Sequence, residues 1–114
     1  MSDMNLLVES REAGAWTVVD VRGEIDLYTA PRLKEHFGEL FDGGRAQVVV
    51  NLEGVEFLDS TGLGVLIGAL RRCRERDGVL ALAAPRETVQ KVLRVTGLDK
   101  VFPVHNSVDE ATAS

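Results

Sequence analysis

The chain has 114 residues, 13 Lys and Arg against 18 Asp and Glu, a formal charge of -5 and 45% hydrophobic residues. That is one domain's worth of material with enough apolar side chains for a single packed core, which excludes disorder for the bulk of the chain. The acidic balance argues against a surface that neutralises nucleic-acid phosphates, the lone Cys73 cannot form an internal disulfide, and the longest nearly uncharged stretch, Ser60 to Leu70, is far shorter than the roughly 20 apolar residues of a membrane span. A soluble cytoplasmic protein is expected, with no direct nucleic-acid contact, no membrane insertion and no leading signal segment.

In chain order, Leu6-Leu7-Val8 and Trp16 to Val21 are rich in strand formers and flank the Gly-containing stretch Glu12-Ala13-Gly14, the pattern of a β-hairpin. Trp16, Val18 and Asp20 point to one face and Thr17, Val19 and Val21 to the other, with Gly23 closing the strand. A helix is predicted from Thr29-Ala30-Pro31, where the hydroxyl can cap free amides and proline suits the first turn. Its stripe is Leu33, Phe37, Leu40 and Phe41, and Asp42-Gly43-Gly44 stops it. The continuous run Ala46 to Leu52 reads as the central strand, covered on both faces. A second helix is predicted from near Asp59-Ser60-Thr61 to about Arg76, and another buried strand over Val79 to Ala84, ended by Pro85. Val89, Val92 and Leu93 mark a short helix that Gly97 can end in a left-handed conformation; Val101 to Val104 follow as an edge strand. Ser107 with Glu110 forms a capping box for a closing helix to about Ala113. The order predicts an α/β domain: a mostly parallel sheet of four to five strands, an N-terminal β-hairpin and about four helices, in one domain over 1–114, ordered from about 5 to 112.

Enzyme templates fail on inventory. There is no CxxC, no HExxH and no GxxxxGK[ST] loop; His36, on the first helix, and His105, after the last strand, read as surface residues. Cys73 among its arginines reads as a helix-buried thiol, and no cofactor is expected. Asp20, Glu24, Asp26, Glu56 and Asp59 suffice for a Mg²⁺ site only if they converge, which nothing in their spacing requires.

The segment from Val55 to Gly68 contains a contradiction. Leu63, Val65, Leu66, Ile67, Ala69 and Leu70 make the helix apolar nearly all round, while Gly62, Gly64 and Gly68 each cost about 1 kcal/mol of helix propensity relative to Ala. Either the glycines allow close packing on the sheet, or one smooth face is a docking surface for another protein. Ser60 stands at the entry to that helix. Its structural role is an N-cap; its functional role is a phosphoacceptor, because a dianion there meets free N–H groups and the positive end of the helix dipole.

The run Phe57 to Leu66, containing Asp59-Ser60-Thr61-Gly62-Leu63-Gly64, together with Gly23-Glu24-Ile25-Asp26, Thr29-Ala30-Pro31 and Thr96-Gly97-Leu98, closely resembles the bacterial anti-sigma factor antagonists, which are single STAS domains. The resemblance covers nearly the whole chain. It implies a STAS fold and a non-enzymatic partner-switching module. On that resemblance Ser60 is the residue phosphorylated by a cognate anti-sigma factor that is an ATP-Mg-dependent serine kinase, with Thr61 a lesser candidate. The unphosphorylated form binds the kinase and frees the sigma factor, the phosphorylated form lets go, and a PP2C-type phosphatase resets it. Asp26 is carried over as a recognition residue, and Asp59, Ser60, Thr61, Gly62, Leu63 and Gly64 as the partner-binding segment of a monomer or weak dimer. The alternatives are a cytoplasmic STAS subunit of a transporter or lipid-transport complex, and a small nucleotide-binding domain.

Overall fold

The computed structural model describes residues 5–113. Strands β1 (Leu6–Ala13) and β2 (Trp16–Ile25) form the antiparallel hairpin, with Ala13 opposite Trp16 across a turn at Gly14, where φ is +64°. Helix α1 (Ala30–Asp42), β3 (Gln47–Leu58), α2 (Ser60–Glu75), β4 (Val79–Ala83), α3 (Glu87–Thr96), β5 (Val104–His105) and α4 (Val108–Thr112) follow, with a short 3₁₀ turn at Leu98–Lys100. The sheet order is β1-β2-β3-β4-β5, and every pair after the hairpin is parallel. Right-handed crossovers that always step to the next strand in the same direction leave their helices on one face of the sheet.

The alternation of side chains sorts the core into two layers. Val19, Val21, Val48, Val50, Leu52, Leu80 and Leu82 face the larger one, where they meet Leu33, Phe37 and Phe41 of α1, Leu63, Leu66 and Leu70 of α2, and Val89 and Leu93 of α3. Val18, Val49, Ala81 and Ala83 face the other way and are covered by Ala111 of α4. That second face is uncovered further along. There Asp20 accepts from Arg11 Nε at 2.8 Å and from Asn51 Nδ2 at 2.8 Å. Partial burial pushes the Asp20 carboxyl up, but these two hydrogen bonds, together with the positive charges of Arg11 and Arg22, outweigh it and hold it below its ordinary value.

The element order and sheet are as expected, but several boundaries differ: β1 runs on past Val8 to Ala13, β4 stops at Ala83, and the others follow. Gly23 does not close β2: the strand runs on to Ile25, irregular in its pairing with β3 at Asp20/Arg22 and Gly23/Glu24. Gly23 is glycine because φ is +111° and a Cβ would collide with the Asn5 carbonyl oxygen. The central strand extends past Leu52 to Leu58, six residues through a mixed stretch, Glu53 to Leu58, whose apolar residues do not alternate strictly. The last strand is Val104–His105, because Val101 and Phe102 are held in a turn by hydrogen bonds to the Leu98 carbonyl; His105 therefore lies in the strand rather than after it. Helix α4 ends at Thr112, with Ser107 Oγ accepting from Glu110 N, while Glu110 Oε1 accepts from Asn106 N instead of Ser107 N.

Cys73 is buried in the main core, and loss of hydration pushes its thiol up to about 11 against smaller opposing effects of Arg76 and Arg72. The stability contributed by the neutral thiol is therefore present below the ordinary value of 9.0 and declines as pH rises toward about 11. A thiol reagent at pH 8 is expected to leave native Cys73 unmodified over hours and to label it fully once the chain is unfolded in urea, as read by mass spectrometry. Rapid labelling of the native chain would contradict the packing described.

Candidate functional site

The parallel pair β2 and β3 ends in register, with Ile25 opposite Leu58, so the loops that follow emerge side by side at the carboxyl end of the sheet. Open parallel sheets present their ligand-binding loops at that end. The Asp59 N–H donates to the Ile25 carbonyl at 3.1 Å, which ties the entry of α2 to the end of β2. Gly62 completes the junction. A Cβ there would lie 2.6 Å from both Ile25 Cγ2 and Leu58 Cδ1, so α2 starts where it does only because residue 62 has no side chain.

Ser60 is not the N-cap. Asp59 is: its backbone is extended, and its Oδ1 accepts from Gly62 N at 2.9 Å while its carbonyl accepts from Leu63 N at 2.9 Å. Asp and Ser are comparable caps by type, and the tether from Asp59 N to the Ile25 carbonyl sets Asp59 at the entry of the helix in place of Ser60. Ser60 is thereby left as the first helical residue, exposed, with its hydroxyl in no hydrogen bond among the described residues. Asp59→Ala is expected to cost about 1 kcal/mol of stability by removing the cap, measurable by urea unfolding. An unchanged midpoint would show that the cap contributes nothing.

The neighbouring loop is built by Asp26 and Thr29. Asp26 Oδ1 accepts from Tyr28 N at 2.9 Å and Thr29 N at 3.0 Å, an Asx turn. The Thr29 hydroxyl, expected to cap α1, instead donates to the Glu24 carbonyl at 2.7 Å and accepts from Asp26 N at 2.9 Å. Helix α1 therefore begins without a side-chain cap, and its N-terminus is held through the loop, with Ala30 N donating to the Asp26 carbonyl at 2.8 Å. Asp26 thus has a structural duty, invisible in the sequence, besides any recognition role.

Of the residues singled out in the sequence, Asp26, Asp59, Ser60, Thr61 and Gly62 meet at this end of the sheet, with Leu63 pointing into the core. Asp20 belongs to the ion pair on the far face, and among the described residues no three acidic, His or Cys side chains come together as a metal site. Sequence reasoning missed the apolar rim. Leu27 and Tyr28 in the loop are 61% and 82% exposed and Phe57 at the end of β3 is 50% exposed. Large apolar residues between two turn-forming positions were the available signal. Gly64 and Gly68, in contrast to Gly62, have nothing within 4 Å of where a Cβ would stand. Close packing accounts for one of the three glycines only.

The STAS domain family model matches residues 8–111. The anti-sigma-B factor antagonist of Staphylococcus aureus (strain NCTC 8325 / PS 47) is 32% identical over 106 residues, covering 93% of this chain and 98% of that protein. The crystal structure of an anti-sigma factor antagonist from Mycobacterium paratuberculosis is 30% identical with a TM-score of 0.87, over 95% of this chain and 92% of that one. The fold is also that of the anti-sigma factor antagonist SpoIIAA, solved unphosphorylated (24% identity, TM-score 0.80, 93% of both chains) and, from Bacillus, phosphorylated (24%, TM-score 0.73, 95% and 96%). Among the described residues no helix is long and apolar enough to cross a membrane. With the fold, the family match and the relatives in agreement, the chain belongs to the STAS domain family and, within it, to the anti-sigma factor antagonists.

Proposed function

We propose that the chain works by partner switching at Ser60: unphosphorylated, it binds an anti-sigma factor that is also an ATP-dependent serine kinase and so releases a sigma factor; phosphorylated at Ser60, it dissociates, and a PP2C-type phosphatase restores it. The observation that carries this reading is the displacement of Ser60 from the cap by Asp59, which leaves an exposed hydroxyl on the first residue of a helix. A hydroxyl committed to a cap would have to break that bond to be phosphorylated; this one does not. Thr61 is half-buried and the weaker candidate.

Electrostatics support both halves of the cycle. A phosphate adds roughly -1.5 to -2 charges. Within the domain it is favoured by the helix N-terminus, whose first turn holds no acidic residue. Across an interface it adds to Asp59, Asp26 and the exposed Glu56, so binding is opposed by like-charge repulsion and desolvation. Leu27, Tyr28 and Phe57 supply apolar contact around the switch, Tyr being a residue type enriched among interface anchors. That a protein of the same fold exists in phosphorylated and unphosphorylated forms supports a modification the fold tolerates.

The test is to incubate the chain with ATP-Mg and the anti-sigma kinase from its own genome and to map the product by mass spectrometry. A single phosphate on Ser60 is expected. Phosphate on neither Ser60 nor Thr61, or none at all with any such kinase of that genome, would overturn the assignment.

A further inference from the structure

Between α1 and α2 lies a groove of about 390 Å³ whose floor is Phe37, Phe41, Val65 and Ala69. On the α2 side its wall is lowered at Gly64 and Gly68, one turn apart, where an added Cβ would have nothing within 4 Å. These two glycines weaken the helix and relieve no internal clash, so what they provide is access to the α2 backbone. The rim is cationic, formed by Lys34, Arg71 and Arg72. None of the three forms an ion pair among the described residues, although the chain as a whole carries a charge of -5. Arg72 lies over the Phe41 ring at 4.7 Å, joining rim to floor.

We infer that this groove is a docking site for an acidic amphipathic helix of a partner protein. Charge complementarity selects the acidic partner: among the described residues no carboxylate forms an ion pair with these cations, so an acidic ligand would meet them unneutralised. The apolar floor and the missing side chains select a helix over a polyanion, because an apolar face must be buried against α2 and a phosphate backbone has none to offer. The groove follows α2 from Thr61 to Arg72, about 16 Å at 1.5 Å per residue, which accommodates roughly three turns of a third helix. Thr61 and Gly64 line its upper end, so a partner seated there reaches the Ser60 face. The inference does not rest on Ser60 being phosphorylated, and its test uses the unphosphorylated chain throughout.

The probe is a fluorescein-labelled synthetic helical peptide of about 16 residues, Leu and Phe on one face and Glu on the other, titrated with the full chain and followed by anisotropy. Saturable binding is expected, with amide shifts concentrated at Gly64 and Gly68. Binding should weaken at least about tenfold for the same peptide with Lys in place of Glu. It should weaken comparably for the exposed pair Lys34→Glu with Arg71→Glu, and for Gly68→Leu, which fills the groove. If Gly68→Leu fails to fold, the charge-reversed pair carries the test. Absence of saturable binding, equal affinity for the Lys peptide, indifference to the charge reversal, or displacement of the peptide from these residues by a short single-stranded DNA would each overturn the inference.

Discussion

Ser60→Asp and Ser60→Glu are expected to bind the proposed kinase partner about 100-fold more weakly than the wild type, close to 3 kcal/mol, whereas Ser60→Ala should bind within a few-fold of it. The asymmetry follows from the position of the hydroxyl. It caps nothing, so its removal leaves no broken hydrogen bond in the domain and a small change at the interface. A carboxylate at the same place introduces a charge next to Asp59 and close to the Asp26 loop, which a docked partner must desolvate. All three variants should unfold within about 0.5 kcal/mol of the wild type, since an acid on the first helical residue is compatible with the dipole. Calorimetric titration gives the affinities and urea unfolding the stabilities. If Ser60→Ala lost binding as severely as Ser60→Asp, the hydroxyl would be a contact residue and the electrostatic account would fail.

The glycines of α2 should divide sharply. Gly62→Ala is expected to destabilise by about 1 to 2 kcal/mol, the overpacking cost less the gain in helix propensity, and Gly62→Val by more. The added carbon would stand 2.6 Å from Ile25 Cγ2 and Leu58 Cδ1 and 3.1 Å from the Ile25 carbonyl, and Ile25 is fully buried, so little can yield. Gly64→Ala and Gly68→Ala, with open space around both positions, should each stabilise by about 0.5 to 1 kcal/mol. For a domain of this size a difference of 1 kcal/mol moves the thermal midpoint by about 4 °C or more. Equal effects at all three positions would refute the division into one packing glycine and two surface ones. A gain in stability left unused at Gly64 and Gly68 is what a surface kept open for a partner entails.

Much of this architecture was legible in the residues. The stripe of Leu33, Phe37 and Phe41 carries a helical period, the short run Val48-Val49-Val50 is marked as a strand by its β-branched composition, and all six side chains are buried. Gly97 ends α3 with φ at +77°, as its place after the last apolar residue indicates. What was not legible depends on contacts between distant residues. Extension of β3 to Leu58 is enforced by pairing with Arg22 to Ile25, not by its own pattern. Asp59 and Ser60 are both good caps by type, and the choice between them is made by the tether from Asp59 N to Ile25 O. Thr29 was diverted from α1 by Glu24 and Asp26, within a turn whose closure single positions do not announce. Lys34 and Arg71 belong to different helices, and their common groove exists only after packing.

The central claim is that one phosphate on Ser60 ejects the chain from its partner while leaving its own fold unchanged. The most direct measurement is a calorimetric titration of the kinase with the same preparation of chain before and after enzymatic phosphorylation. A loss of affinity of about 100-fold or more is predicted, reversed when a PP2C-type phosphatase removes the phosphate. Equal affinity of the two forms would contradict the account.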